Sequence, residues 1–123
     1  MVDYCSDMAA LIDLVDEYSK ALAARDFERA VSLYASDAIV VRYEGVAKGP
    51  EEISAFLVNF LSGYDRFDLI SVDQIQTSGD TVVWDASHDT DAGALQTTNV
   101  FVVNDAGLII RHIPLPRGYW GHT

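Results

Sequence analysis

Tyr18 to Val41 reads YSKALAARDFERAVSLYASDAIVV, and this stretch decides the fold. Its first residues close a helical stripe. Met8, Leu11, Ile12, Val15, Tyr18 and Leu22 recur at the spacing that puts side chains on one helix face. Ser6 or Asp7 is placed to cap that helix by accepting a hydrogen bond from a first-turn N–H. Asp26 is placed to cap a second, shorter helix with the stripe Phe27, Ala30, Val31 and Tyr34. The stretch then turns β-branched, and Ala38 to Tyr43 reads as a short strand.

Downstream, Gly49-Pro50-Glu51-Glu52 signals a third helix. Proline has no N–H to leave unbonded at the first position, and the two acids suit the positive end of the helix dipole. Ile53, Phe56, Leu57, Phe60 and Leu61 form its stripe, and Gly63 is expected to end it in a left-handed conformation. After Gly63 the period becomes two. Segments 67–77, 81–90, 94–104 and 108–115 read as strands, separated by turns at Ser78-Gly79-Asp80, Asp91-Ala92-Gly93 and Asn104 to Gly107. Short turns pair successive strands antiparallel. The expected class is α+β, with three N-terminal helices over one face of a curved antiparallel meander, in a single domain over residues 1–123.

Charge narrows the function classes. Eight basic against 19 acidic residues give a net charge of −11, which argues against nucleic-acid and anionic-membrane partners. From Phe67 to Ile110 there are seven acids and no Lys or Arg, whereas Arg111, His112, Arg117 and His122 follow with no acid. The acids either lie on a solvated sheet face or pair with this basic end. A single cysteine, Cys5, cannot form an intramolecular disulfide and is consistent with a cytoplasmic location. The acidic first twenty residues do not read as a signal peptide, and no apolar run reaches membrane-spanning length. Neither metal-ligand spacing nor a phosphate-binding loop is present, so no metal and no cofactor is expected.

With its order of elements, the Tyr18–Val41 stretch resembles the nuclear transport factor 2-like superfamily, which includes ketosteroid isomerase, scytalone dehydratase and the small polyketide cyclases. KGPEEISAFL and TNVFVVNDAGLIIRHI carry the likeness onward, so that it covers nearly the whole chain. The resemblance implies a cone-shaped sheet wrapped around a pocket. It also implies that Tyr18 lies where the isomerase donates to the steroid oxyanion, and Asn99 where that enzyme has a protonated aspartic acid. In the dehydratase an asparagine that touches substrate stands at the similar place. His112 falls at a pocket-lining strand position and Phe56 at a wall aromatic. Arg42 stands where the isomerase has its general-base aspartate. An arginine cannot abstract a proton at neutral pH, so the steroid mechanism does not carry over.

The residues also argue for themselves. Tyr18 shares the first stripe, so its hydroxyl needs a partner inside, either a backbone carbonyl or a ligand carbonyl. A donor fixed in a dry cavity is worth about 3–4 kcal/mol to a developing oxyanion. Asn99 shares a strand face with Leu95, Thr97, Phe101 and Val103, where its amide pairs with a neighbour or forms a two-donor clamp with Tyr18. His112 alternates with Leu108 and Ile110, and His88 with Val82, Trp84 and Ala86. Each is a candidate base or a core histidine satisfied by a hydrogen bond, with His112 the first choice. Asp85 and Asp89 fall on the face opposite His88. Trp84 and Phe101 pack in the core or line a wall suited to a flat ligand. Arg42 either binds a substrate carboxylate or pairs with Asp37 or Glu44.

Two functions are compatible with this pattern. One is a cofactor-free enzyme acting on a small apolar carbonyl compound through an enol or enolate, as an isomerase, dehydratase or cyclase. The other is a ligand-binding or association module of the same fold. The tail PLPRGYWGHT is expected to cover the sheet edge, the pocket mouth or a partner. Val100 and Val102 on the outer sheet face point to a homodimer.

Overall fold

A computed structural model describes residues 4–120. The elements are α1 Tyr4–Ala23, α2 Phe27–Ser32, β1 Tyr34–Arg42, β2 Gly45–Lys48, α3 Gly49–Ser62, β3 Phe67–Ser78, β4 Thr81–Thr90, β5 Gly93–Val103 and β6 Ile109–Trp120. The six strands form one sheet in the order β2-β1-β6-β5-β4-β3. Three helices and this curved, unclosed sheet make the expected α+β cone. The sheet is mixed rather than purely antiparallel, because β1 runs parallel to β6. Strand β3 runs opposite to β1, so three antiparallel steps from β3 bring β6 beside β1 pointing the same way.

Local signals explain most boundaries. Asp26 caps α2, its Oδ1 accepting from the Arg29 N–H at 3.2 Å. Pro50 occupies the first turn of α3, and Glu52 Oε1 accepts from the Lys48 N–H at 3.0 Å. The turn between β3 and β4 places Gly79 at φ 58°, a left-handed conformation costly for a residue with a Cβ. Arg25 donates from Nη1 to the Leu61 carbonyl at 2.8 Å and from Nη2 to the Tyr64 carbonyl. It thereby supplies donors to the carbonyl-rich end of α3 and ties that end to the turn after α1.

Several expectations are corrected. Helix α1 begins at Tyr4, so Ser6 and Asp7 stand inside it and do not precede it. Met8 and Ile12 are exposed, and the buried stripe is Leu11, Leu14, Val15, Tyr18 and Leu22. Tyr34 opens β1 and is not part of the α2 stripe. Strand β2 was not expected, since four residues leave little periodicity to read. Gly63 ends α3 at φ −76°, right-handed. The tail extends β6 as far as Trp120, which pairs with Ala94, and its last three residues lie outside the described ones.

Bulges set the curvature. On β3 the register against β4 skips Ile70 and Asp73; on β6 the register against β5 skips Ile110 and Arg117. The bulge at Ile110 also corrects the reasoning for His112. Simple alternation groups His112 with Leu108 and Ile110, yet those two are only half-buried. The extra residue instead turns both Ile109 and His112 inward, at 0% and 1% exposure. None of the seven acids between Phe67 and Ile110 is buried, and Arg117 Nη2 lies 3.7 Å from Asp85 Oδ2, so the basic end does meet the acidic face.

The core fills the concave side of the sheet, where α1 and α3 cover it. Its largest buried members include Trp84, Phe101, Ile53, Leu57 and Leu61. Burying one such side chain contributes about 1.5–3 kcal/mol. Among the described residues no helix is long and apolar enough to cross a membrane.

Candidate functional site

One cavity, of about 350 Å³, opens within the cone. That lies at the low end of the range for small-molecule pockets. Helix α1 contributes Tyr18, Ser19 and Leu22, and α3 contributes Phe56, Leu57 and Phe60. The sheet adds Arg42, Phe67, Trp84, His88, Thr97, Asn99 and His112, together with Pro114 to Pro116 of the tail. The exposed Tyr43 and Glu44 mark the rim. Seven of the eight residues singled out from sequence therefore line one cavity. Phe101 does not; it is fully buried behind the wall, edge-on to Tyr18, Trp84 and His112 at 5.1, 5.6 and 4.7 Å between ring centroids.

A buried hydrogen-bond chain joins three of the candidates. His112 Nε2 lies 2.8 Å from Asn99 Oδ1, and His112 Nδ1 lies 2.7 Å from the Tyr34 hydroxyl. The Tyr34 and Tyr18 hydroxyls are 3.4 Å apart. The protons follow from the acceptors. The assigned Asn99 oxygen can only accept, so Nε2 carries the hydrogen, and Nδ1 must accept from Tyr34. Tyr34 has a single proton, which the shorter contact claims. The Tyr18 proton is thus left for the Tyr34 oxygen, at a long distance, or for a ligand. Asn99 Nδ2 donates weakly to Thr97 Oγ1 at 3.3 Å, leaving one amide hydrogen over. Tyr34 is the link that sequence reasoning missed. The helical spacing that groups it with Phe27, Ala30 and Val31 does not hold, because Tyr34 opens β1.

This chain is neutral. Burial pushes His112 down to about 3 and pushes the Tyr18 and Tyr34 phenols up. Both ring nitrogens of His112 are engaged, so no lone pair is directed at the cavity. This is not the geometry expected of a base, although its inward placement is as expected.

The remaining polar groups behave differently. Ser19 Oγ, Arg42 Nε, Trp84 Nε1 and His88 Nδ1 are buried without a hydrogen-bond partner among the described residues, and all four belong to residues lining the cavity. Each such group costs about 1–3 kcal/mol unless something in the cavity bonds to it. His88 stacks on Phe67 at 4.4 Å between centroids. Burial lowers it to about 4, with the charge of Asp73 acting the other way. Asp85 and Asp89 do face away from it, toward Thr98 with Arg117 and toward Arg66 respectively. Arg42 sits 4.7 Å over the Phe56 ring, with Nη1 3.7 Å from Glu44 and no contact with Asp37 among its ion pairs. Ser19 went unnoticed, although its i+4 spacing from the stripe residue Val15 was a usable signal.

Comparison with known proteins agrees with this architecture. Residues 15–112, well over half of the chain, match the SnoaL-like domain, and the chain belongs to that family. An NTF2-like protein from Anabaena variabilis superposes with a TM-score of 0.81 at 13% identity, over 96% of this chain and 95% of that one. A protein named as a SnoaL-like polyketide cyclase, from Shewanella denitrificans, gives 0.71 at 18%, over 85% and 88%. One with a ketosteroid isomerase-like fold from Catenulispora acidiphila, in complex with trimethylamine, gives 0.71 at 16%, over 82% of each. At these identities the structures share a fold. No curated protein matches the chain.

Proposed function

We propose that this chain is an enzyme converting a small, mostly apolar carbonyl compound through an enol or enolate, by isomerisation, dehydration or aldol-type cyclisation, without a cofactor. The observation that carries the reading is the set of four buried polar atoms, all on residues that line one cavity, that no described residue satisfies. Tyr18 and the spare amide hydrogen of Asn99 polarise the carbonyl. His112 and Tyr34 hold these two donors in place, and the base role passes to His88. A neutral imidazole at about 4 is a weak base. Carboxylate bases of similar strength suffice where fixed donors take up the enolate charge.

Enolisation can be followed directly, as protein-dependent loss of the α-proton NMR signals of aryl methyl ketones and conjugated enones in D2O. The wild type should exchange them, and H88A should be slower by about 100-fold or more. A ketone that binds, by thermal shift, yet exchanges at the buffer rate would leave the ligand-binding module as the function. The sealed nitrogens of His112 favour that second reading. We also propose a homodimer through the outer face, where Val83, Val100 and Ile113 form one row across β4, β5 and β6.

A further inference from the structure

We infer that the ligand is a flat aromatic or conjugated molecule bearing a carboxylate, which Arg42 binds at the cavity rim. This deepens the enzymatic reading by naming the substrate class. Its binding limb can be tested separately from turnover.

Three observations lead there. First, Arg42 is held but not satisfied. Its guanidinium carbon lies 4.7 Å from the Phe56 ring centroid, within reach of a cation–π attraction. Its Nε has no partner among the described residues, although the atom is buried. Second, the nearby acid does not neutralise it. Glu44 is 3.7 Å away, beyond good hydrogen-bond length, and its side chain is 72% exposed. Solvated pairs of this kind contribute about 0–1 kcal/mol, so a better-placed carboxylate displaces Glu44 readily. Third, the wall beyond Arg42 is built for a ring. Phe56, Phe60, Phe67 and Trp84 line it, with Trp84 Nε1 aimed at no protein acceptor.

The guanidinium chemistry fixes the ligand's charged end. The two Nη groups at the partly exposed end of the side chain form a planar fork that matches the two oxygens of a carboxylate, which a point-charge ammonium cannot do. In a chain of net charge −11 a general attraction for anions is absent. Selection must come from this one fork and the apolar wall behind it. A free inorganic anion would leave the aromatic wall unused.

Matched probes of nearly the same shape test the inference by isothermal titration calorimetry: 2-naphthoate and the neutral 2-acetonaphthone. Wild type should bind 2-naphthoate at least about tenfold more tightly. In R42Q that preference should vanish while 2-acetonaphthone stays within about twofold, and R42K should restore it only in part. E44Q, an exposed change that spares the fold, should tighten 2-naphthoate binding by removing the competing acid. Equal affinity of the two probes, binding of neither, a preference that survives R42Q, or no gain in E44Q would each overturn the inference. A naphthoate preference without α-proton exchange would sink the enzymatic reading alone. Exchange without the preference would sink the carboxylate alone.

Discussion

Acid should unfold this protein through two histidines. An unfolded chain protonates both imidazoles near 6.5, whereas the folded chain takes up protons only near about 4 at His88 and about 3 at His112, because burial disfavours the charged rings. Between those values the unfolded state binds more protons, so stability falls as pH falls. From pH 7 to pH 4 the loss is about 3 kcal/mol for each histidine, roughly 6 kcal/mol together. That is a large part of the roughly 5–15 kcal/mol that holds a domain folded. Two other effects act in the same range. The −11 charge relaxes as pH approaches the pI near 4.3, which favours the compact state. Asp73, held below the ordinary carboxylate range by the Ser71 and Ser87 hydroxyls, loses its advantage on protonation. Variants isolate the histidines, because both effects are common to all of them. Urea unfolding of wild type, H88Q and H112Q at a series of pH values between 7 and 4 should show each variant losing about half as much stability as wild type. Three parallel curves would refute the reasoning, since the pH dependence would then lie elsewhere.

Further outcomes follow from the same contacts. Y34F removes one oxygen and leaves His112 Nδ1 without its donor, at a cost of about 1–3 kcal/mol, which should lower Tm by roughly 5–10 °C in a scanning fluorimetry trace. G79A meets no atom within 4 Å, so its cost is backbone strain at φ 58° alone, about 1–2 kcal/mol in urea unfolding. G79N should lose less, because asparagine visits that conformation. Light scattering should find a dimer for wild type and a monomer for V100K, whose new charge falls in the middle of the Val83–Val100–Ile113 row. A monomeric wild type would refute the proposed interface.

The legible parts of the site are those that periodicity controls. Asn99 and His88 sit on regular strands, where alternation alone sends them inward with Leu95, Phe101, Trp84 and Ala86. Tyr18 is legible for the same reason on α1. His112 faces inward as its sequence suggests, but by way of the bulge at Ile110 and not by simple alternation. Phe101 faces inward as read, but periodicity cannot tell the wall of a cavity from the core behind it.

By itself, then, the chain's order of apolar residues determined three helices, the long strands, most of their turns and the inward face of the regular strands β4 and β5. These follow from local propensity and from spacings of a few residues. Tertiary structure alone decided that β1 lies parallel beside β6 and that Tyr34 meets His112 across 78 positions of sequence. It also decided which polar atoms are left without partners. Satisfaction of a buried donor depends on neighbours brought from distant elements, and no local spacing encodes that. The base role expected of His112 and the unpaired nitrogen found at His88 differ for this reason: one imidazole lies between Asn99 and Tyr34, while the other stacks on Phe67 with Nδ1 unpartnered among the described residues.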